Sequence, residues 1–235
     1  NKNIFVIDDN KKRTGAQRKM AAIFAADVVG YSSLMASNEK LTLFRLKETR
    51  KITDKIINDL HGRIFSTAGD SIMAEFASPV DAMEAAISIQ NQVSENVKKI
   101  EDDVKITFRI GINLGDIMTQ DNNLYGDNVN IAARLESIAT PGEINISEKV
   151  YQEVYNKVSI SFKSLGEKKL KNIIQKIKVY SSVMKQDSKT DVIRLSASYK
   201  KYLFAGVLLT TSIVTIIYFY NQYFKSKIEY TDNSK

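Results

Sequence analysis

Two carboxylates stand where a carboxylate needs a physical reason. Asp27 interrupts an otherwise apolar run, AAIFAADVVGYSS, just ahead of Gly30. Asp70 follows Ala68 and Gly69 in STAGDSIMAEF, at the mouth of a bend before the alternating Ile72, Ala74 and Phe76. An unpaired carboxylate inside a strand is costly, so Asp27 requires a cation, a hydrogen-bond nest or a strand end at solvent. If the two strands are neighbours, these residues offer two hard oxygen ligands with no histidine or cysteine beside them, a set that suits magnesium. The stretch VVGYSS offers backbone N–H groups to a phosphate chain where a short helix begins. Two separate aspartates capping turns are the alternative, and spacing alone does not choose.

A second constellation lies in GDNVNIAARLE. Asn130 and Arg134 are four apart and share one face of a helix whose other positions are Val129, Ile131, Ala132, Ala133 and Leu135. An arginine supplies a planar cation and an asparagine can orient a hydroxyl, so the pair can meet charge developing on a phosphate. A solvated helix face is the competing account.

Composition narrows the remaining chemistry. The chain has 235 residues, 43% hydrophobic and 26% charged, enough for one globular core plus appendages. It has no cysteine, which excludes disulfides, thiolate zinc sites and cysteine nucleophiles. A single histidine, His61, argues against a catalytic triad or a His-rich metal site, and Gly62 after it reads as a helix C-terminal cap. The net charge is +7, but the basic residues are interleaved with acids and form no compact block, so nucleic acid is not the expected partner.

The elements that must hold these residues follow from periodicity. KMAAIFAADVVG reads as a buried strand. NEKLTLFRLKETRKITDKIINDLHG places Leu41, Phe44, Ile52, Ile56 and Leu60 at helical spacing. RIFSTAG and DSIMAEF form a hairpin, and SPVDAMEAAISIQNQVSENVKKI opens a helix with Ser78 as N-cap and Pro79 in its first turn. VKITFRIGINLGDIM is a long strand, GDNVNIAARLESIA a helix stopped by Pro141 and Gly142, and EINIS a strand. A short helix over 147–157 and a strand pair near 159–164 and 175–181 complete an α+β fold, with helices expected on one face of a mostly antiparallel sheet.

Five segments in order, AAIFAADVVGYSSLM, GDSIMAEF, FRIGINLGD, YGDNVNIAARLE and SLGEKKLKNI, resemble the catalytic domain of class III nucleotidyl cyclases, most nearly the bacterial adenylate/guanylate cyclases. The resemblance covers about residues 18–182. It implies a ferredoxin-like βαββαβ elaboration and a homodimer with two active sites across its interface. It implies that Asp27 and Asp70, with the Val28 carbonyl, hold two Mg2+ or Mn2+ ions per site. Gly30, Tyr31 and Ser32 would line the phosphates, and Asn130 would orient the ribose. Arg134 would stabilise the transition state, and Arg109 and Lys171 would contact phosphates. The reaction implied is formation of a cyclic nucleotide from a nucleoside triphosphate with release of pyrophosphate.

The nucleobase positions depart from the family pattern. Ser66 stands where adenylate cyclases of this family place a base-reading lysine, and Asn123 where they place Asp or Thr. Loss of one well-made buried contact costs ~1–3 kcal/mol, which loosens discrimination without abolishing turnover. ATP is the leading expected substrate, GTP the next, and a pyrimidine triphosphate a further candidate.

The organisation expected is a polar segment 1–18, a catalytic domain 19–183, a linker 184–200, a membrane helix 201–224 and a polar tail 225–235. The IFVIDDN stretch resembles the first strand of a receiver domain with nothing after it to complete one. Residues 202–224 carry no charge, long enough to span a bilayer as a helix. Tyr199, Tyr202 and Phe204 at one end and Tyr218, Phe219, Tyr220, Tyr223 and Phe224 at the other resemble interfacial belts. Arg194, Lys200 and Lys201 favour a cytoplasmic catalytic domain on a single-pass anchor. No signal peptide is read, and the chain does not begin with Met, which leaves open that it is a fragment. A non-catalytic nucleotide-binding regulator and a membrane-tethered interaction domain are the competing functions.

Overall fold

The computed structural model describes residues 17–120 and 123–183. Its elements run β1 (Gln17–Val28), α1 (Tyr31–Asp59), β2 (Arg63–Ala68), β3 (Ser71–Phe76), α2 (Pro79–Lys98), β4 (Phe108–Gln120), β5 (Asn123–Tyr125), α3 (Asp127–Ser137), β6 (Ile144–Ser147), α4 (Glu148–Val154), β7 (Ser161–Lys168) and β8 (Ile177–Val183). The strands form one sheet in the order β2-β3-β1-β4-β6-β8-β7, with β5 paired to β4. Every pairing is antiparallel except β4 with β6.

Strand β1 is central because its residues are apolar on both sides. Ala22, Phe24 and Ala26 join the core under α1 and α2, where Phe24 and Phe76 pack tilted with centroids 6.2 Å apart. Ala21, Ile23 and Ala25 face the other way and meet Ala132 of α3 and Leu124 of β5. Helices therefore cover both faces of the sheet, which corrects the expectation of a single helical face. The cause lies in β1 itself: a continuous apolar run, rather than an alternating one, buries both its faces.

Helix α1 also differs from its sequence reading. It starts at Tyr31, and Asn38 breaks it with φ −156° and ψ 88°. The Asn38 side chain accepts the Leu41 N–H at 3.1 Å and so caps the second segment, while Thr42 Oγ1 donates to the Leu34 carbonyl across the break. The buried stripe is Thr42, Leu46, Thr53, Ile56 and Ile57; Phe44 is 54% exposed. Threonines enter an apolar face because each hydroxyl bonds a backbone carbonyl, Thr53 to Arg50 for example. At the C-terminus His61, not Gly62, takes the left-handed conformation, with φ 61°. The Gly62 N–H then closes on the Ile57 carbonyl at 2.8 Å.

Helix α2 begins as its sequence dictates, with the Ser78 hydroxyl accepting the Asp81 N–H at 3.2 Å and proline in the first turn. Strand β4 begins at Phe108 rather than at Val104. Among the described residues no helix is long and apolar enough to cross a membrane. The uncharged stretch 202–224, the linker and the N-terminal segment lie outside the described residues.

Candidate active site

The carboxylate pair is set by the register of neighbouring strands. Asp27 lies one residue from the end of β1, opposite Arg109 of β4. Asp70 lies in the turn between β2 and β3, and β3 is the other neighbour of β1. An Asp70 oxygen, Oδ2, accepts the Val28 N–H at 3.1 Å, which fastens the turn to the end of β1. The two carboxyls are close enough to act on each other. Burial raises the pKa of Asp27, the hydrogen bond and charge of Asp70 raise it further, and Arg109 opposes both.

Arg109 meets two acids through two of its nitrogens. Its Nη2 meets Asp27 Oδ2 at 3.1 Å and its Nε meets Glu136 Oε1 of α3, also at 3.1 Å. The first contact is a hydrogen bond; in the second the N–H does not point at the oxygen, so it is a contact of charges. Glu136, whose side chain is 12% exposed, did not emerge from the sequence. Burial pushes its carboxyl up to about 7, Arg109 acts to lower it, and the charges of Asp27 and Asp70 raise it. An arginine facing two acids from different elements is a signal that only the fold displays.

Two hard carboxylates and the adjoining Val28 carbonyl fit a divalent ion that keeps waters and takes its remaining ligands from phosphates. Among the described residues no group of three or more histidines, cysteines, aspartates and glutamates is placed to hold a metal by itself. Beside the pair, Gly30 precedes α1 in a left-handed conformation with φ 65°. The helix has no side-chain cap and no acid in its first turn. Its free N–H groups at Tyr31 and Ser32 thus form an unblocked positive end.

The amide–arginine pair lies on α3. Helix α3 lies on β4 so closely that a Cβ at Gly111 would fall 2.2 Å from the Glu136 nitrogen and 2.3 Å from the Ala132 oxygen. A Cβ at Gly115 would fall 2.1 Å from Asn128 Cγ. Asn128 is locked there, accepting from Asn113 Nδ2 at 3.1 Å and donating to the Asp116 carbonyl at 2.8 Å. Asn130 is exposed and Arg134 half-buried. Among the described residues neither side chain makes a hydrogen bond or ion pair. Lys171 is exposed in the β7–β8 loop, which Leu170 and Ile173 dock onto Ile131 and Leu135 of α3. A cavity of about 490 Å³ is lined by residues of this loop, Lys169 to Ile174, and not by the carboxylates.

Ser66 is exposed on β2, next to an irregularity in the pairing with β3. Asn123 is exposed at the start of β5, which lies against β2.

With the fold and these positions in hand, comparison with known proteins is direct. Residues 15–196 match the adenylate and guanylate cyclase catalytic domain. The chain belongs to that family. A provisionally named adenylate cyclase 3 of Rhizobium meliloti is 37% identical over 166 residues, which are 70% of this chain and 28% of that protein. The chain thus spans under a third of this relative. The crystal structure of an adenylate/guanylate cyclase/hydrolase from Silicibacter pomeroyi is 40% identical, with a TM-score of 0.66 over 72% of this chain and 99% of the other. The adenylyl cyclase CyaB from P. aeruginosa shares the fold of this cyclase domain, with a TM-score of 0.65 at 24% identity over 73% of this chain and 97% of the other.

Proposed function

We propose that this cyclase domain converts a nucleoside triphosphate, ATP first, into the 3′,5′-cyclic nucleotide and pyrophosphate as a homodimer. The observation that carries the reading is the facing of Asp27 and Asp70 at adjoining strand ends in a chain of this family. In the reaction the ribose 3′-oxygen forms a bond to the α-phosphorus. The bond from that phosphorus to the β-bridging oxygen breaks, and the 3′ proton passes to solvent.

Asp27, Asp70 and the Val28 carbonyl would hold magnesium or manganese, two ions per site. When bound, such ions supply Lewis acidity that lowers the pKa of the 3′-hydroxyl and offsets charge on the departing pyrophosphate. The Gly30, Tyr31 and Ser32 backbone at the start of α1 binds triphosphate oxygens with fixed N–H donors. Asn130 orients the ribose and holds the attacking oxygen in line. Arg134 meets the charge that builds on the phosphorus, and Lys171 holds the distal phosphates.

Asn130 and Arg134 lie on α3 and Lys171 in the loop docked onto it, and among the described residues none of the three makes a hydrogen bond or ion pair with the carboxylates. A second copy of the chain that turns this region toward Asp27 and Asp70 completes each site, which supports the dimer. Ser66 and Asn123 favour relaxed base choice over strict adenine reading. The proposal extends to a single-pass anchor at 202–224 with the catalytic domain on the cytoplasmic side.

The test is a competition assay with ATP, GTP, CTP and UTP in equal amounts, with Mn2+, read by mass spectrometry. Cyclic AMP as the main product, with measurable cyclic GMP, is the expected outcome. Absence of every cyclic product from the purified dimer overturns the reading and favours a nucleotide-binding regulator. Recovery of the full chain in membranes, and its loss to the soluble fraction on deleting 202–224, tests the anchor.

A further inference from the structure

Burial of Glu136 is poorly explained by stability. Taking a carboxylate out of water costs several kcal/mol, and an apolar side chain of similar size is often neutral or better in such a place. Among the described residues its one ion-pair contact, Arg109 Nε, lies at 3.1 Å without a well-directed hydrogen bond. What the carboxylate supplies is direction. It lies against Nε of a guanidinium whose Nη2 holds Asp27 Oδ2 at 3.1 Å.

The spacing of the three groups is not left to side-chain freedom. Arg109 is registered directly opposite Asp27 by the β1–β4 ladder. Glu136 is brought to Arg109 by backbone contact, because α3 rests on the Cα of Gly111, two residues along β4. A strand, its neighbour and a helix therefore fix an acid–base–acid row. Both of its contacts join groups distant in sequence.

We propose that Arg109 and Glu136 act as a positioning pair: Glu136 restrains the Arg109 guanidinium, and Arg109 in turn holds Asp27 in the orientation that faces Asp70. The pair rests on the cyclase reading above, since it serves the acidic site. It also gives Arg109 a duty beside the phosphate contact that the family resemblance implies.

The experiment is a double-mutant cycle with Glu136→Gln, Arg109→Lys and the double variant, each first checked by thermal melting and dimer mass. Mn2+ binding to the nucleotide-free dimer is measured by electron paramagnetic resonance, and nucleotide KM at saturating Mn2+. Each single variant is expected to weaken Mn2+ binding about tenfold or more, as loss of a ligand-orienting partner does. The double variant should be no worse than the more damaging single, because both act through one contact chain. For Glu136→Gln, which leaves Arg109 in place, nucleotide KM should stay within about twofold of wild type.

A raised KM with unchanged Mn2+ affinity overturns the pair and leaves Arg109 to the phosphates alone. Additive losses overturn it as well, because Glu136 then acts independently. Should Glu136→Gln fail to fold, Arg109→Lys alone still separates weakened metal binding from a raised KM, because lysine keeps the charge but cannot span both acids. A wild-type dimer that neither binds Mn2+ nor yields a cyclic product defeats the cyclase reading itself, and the pair with it. Wild-type binding and turnover with an unaffected cycle defeats the pair alone.

Discussion

The strand-end cluster and the outer face of α3 are opposites in the way they treat charge. Around Asp27 each group is engaged: Asp70 with the Val28 N–H, Asp27 with Arg109, Arg109 with Glu136. On α3, Asn130 and Arg134 make no side-chain hydrogen bond or ion pair among the described residues, although the helix beneath them is locked to β4 by Asn113 and Asn128. One region is engaged by groups of its own chain. The other is rigidly held yet left unengaged, which is how a half-site that works on another molecule should look.

The sharpest way to break this contrast is to disable each region in a different chain. Asp27→Ala and Arg134→Ala should each lower turnover by roughly 10³-fold or more. Mixing the two inactive proteins should restore about a quarter of wild-type activity, as expected for random pairing of a two-fold dimer with one intact site per mixed pair. No recovery in the product assay would mean that both regions serve the same chain.

A smaller effect tests the seating of α3. Gly111→Ala places a methyl group against backbone atoms of Ala132 and Glu136 that cannot swing aside. The helix must lift, at an expected cost of ~1–3 kcal/mol, read from the midpoint of urea unfolding. An unshifted midpoint would disprove the close approach.

Smaller still is the nucleobase effect. Ser66→Lys, at an exposed position on β2, should sharpen preference for ATP over GTP about tenfold in the competition assay, the worth of roughly one good hydrogen bond. No change would place base reading elsewhere.

The smallest effect is on pH dependence. Glu136 titrates at about 7 when folded, against 4.5 for an ordinary glutamate, because burial and the Asp27 and Asp70 charges outweigh Arg109. A raised folded pKa means that the stabilising contribution is complete below 4.5 and disappears as pH rises through about 7. The metal-free wild type should therefore lose more stability between about pH 5 and pH 8 than Glu136→Gln, which has no proton to lose there. Parallel urea midpoints for the two proteins would refute this.

Much of this was readable from the sequence, for identifiable reasons. The hairpin at Gly69, the Ser78–Pro79 helix start and the segment holding Asn130 and Arg134 each have local causes, in turn chemistry, capping and helical period. What stayed hidden depends on contacts between distant segments. Phe44 fits the apolar period of α1 but is exposed, because the break at Asn38 and the carbonyl-bonded threonines set the buried stripe elsewhere. Glu136 looks like a surface acid until Gly111 lets α3 settle onto β4. The placement of helices on both faces follows from the two-sided burial of β1, which a buried run permits but does not announce.

The hydrogen bond from Val28 to Asp70 ties the acidic residues to three adjoining strands of a continuous ladder. A sheet so laced resists bending, so an upstream stimulus gains little by tugging the acids apart. In the proposed dimer, control would be cheaper to exert by rotating or separating whole subunits, and the catalytic unit would then act as a gauge of how its two copies are aligned.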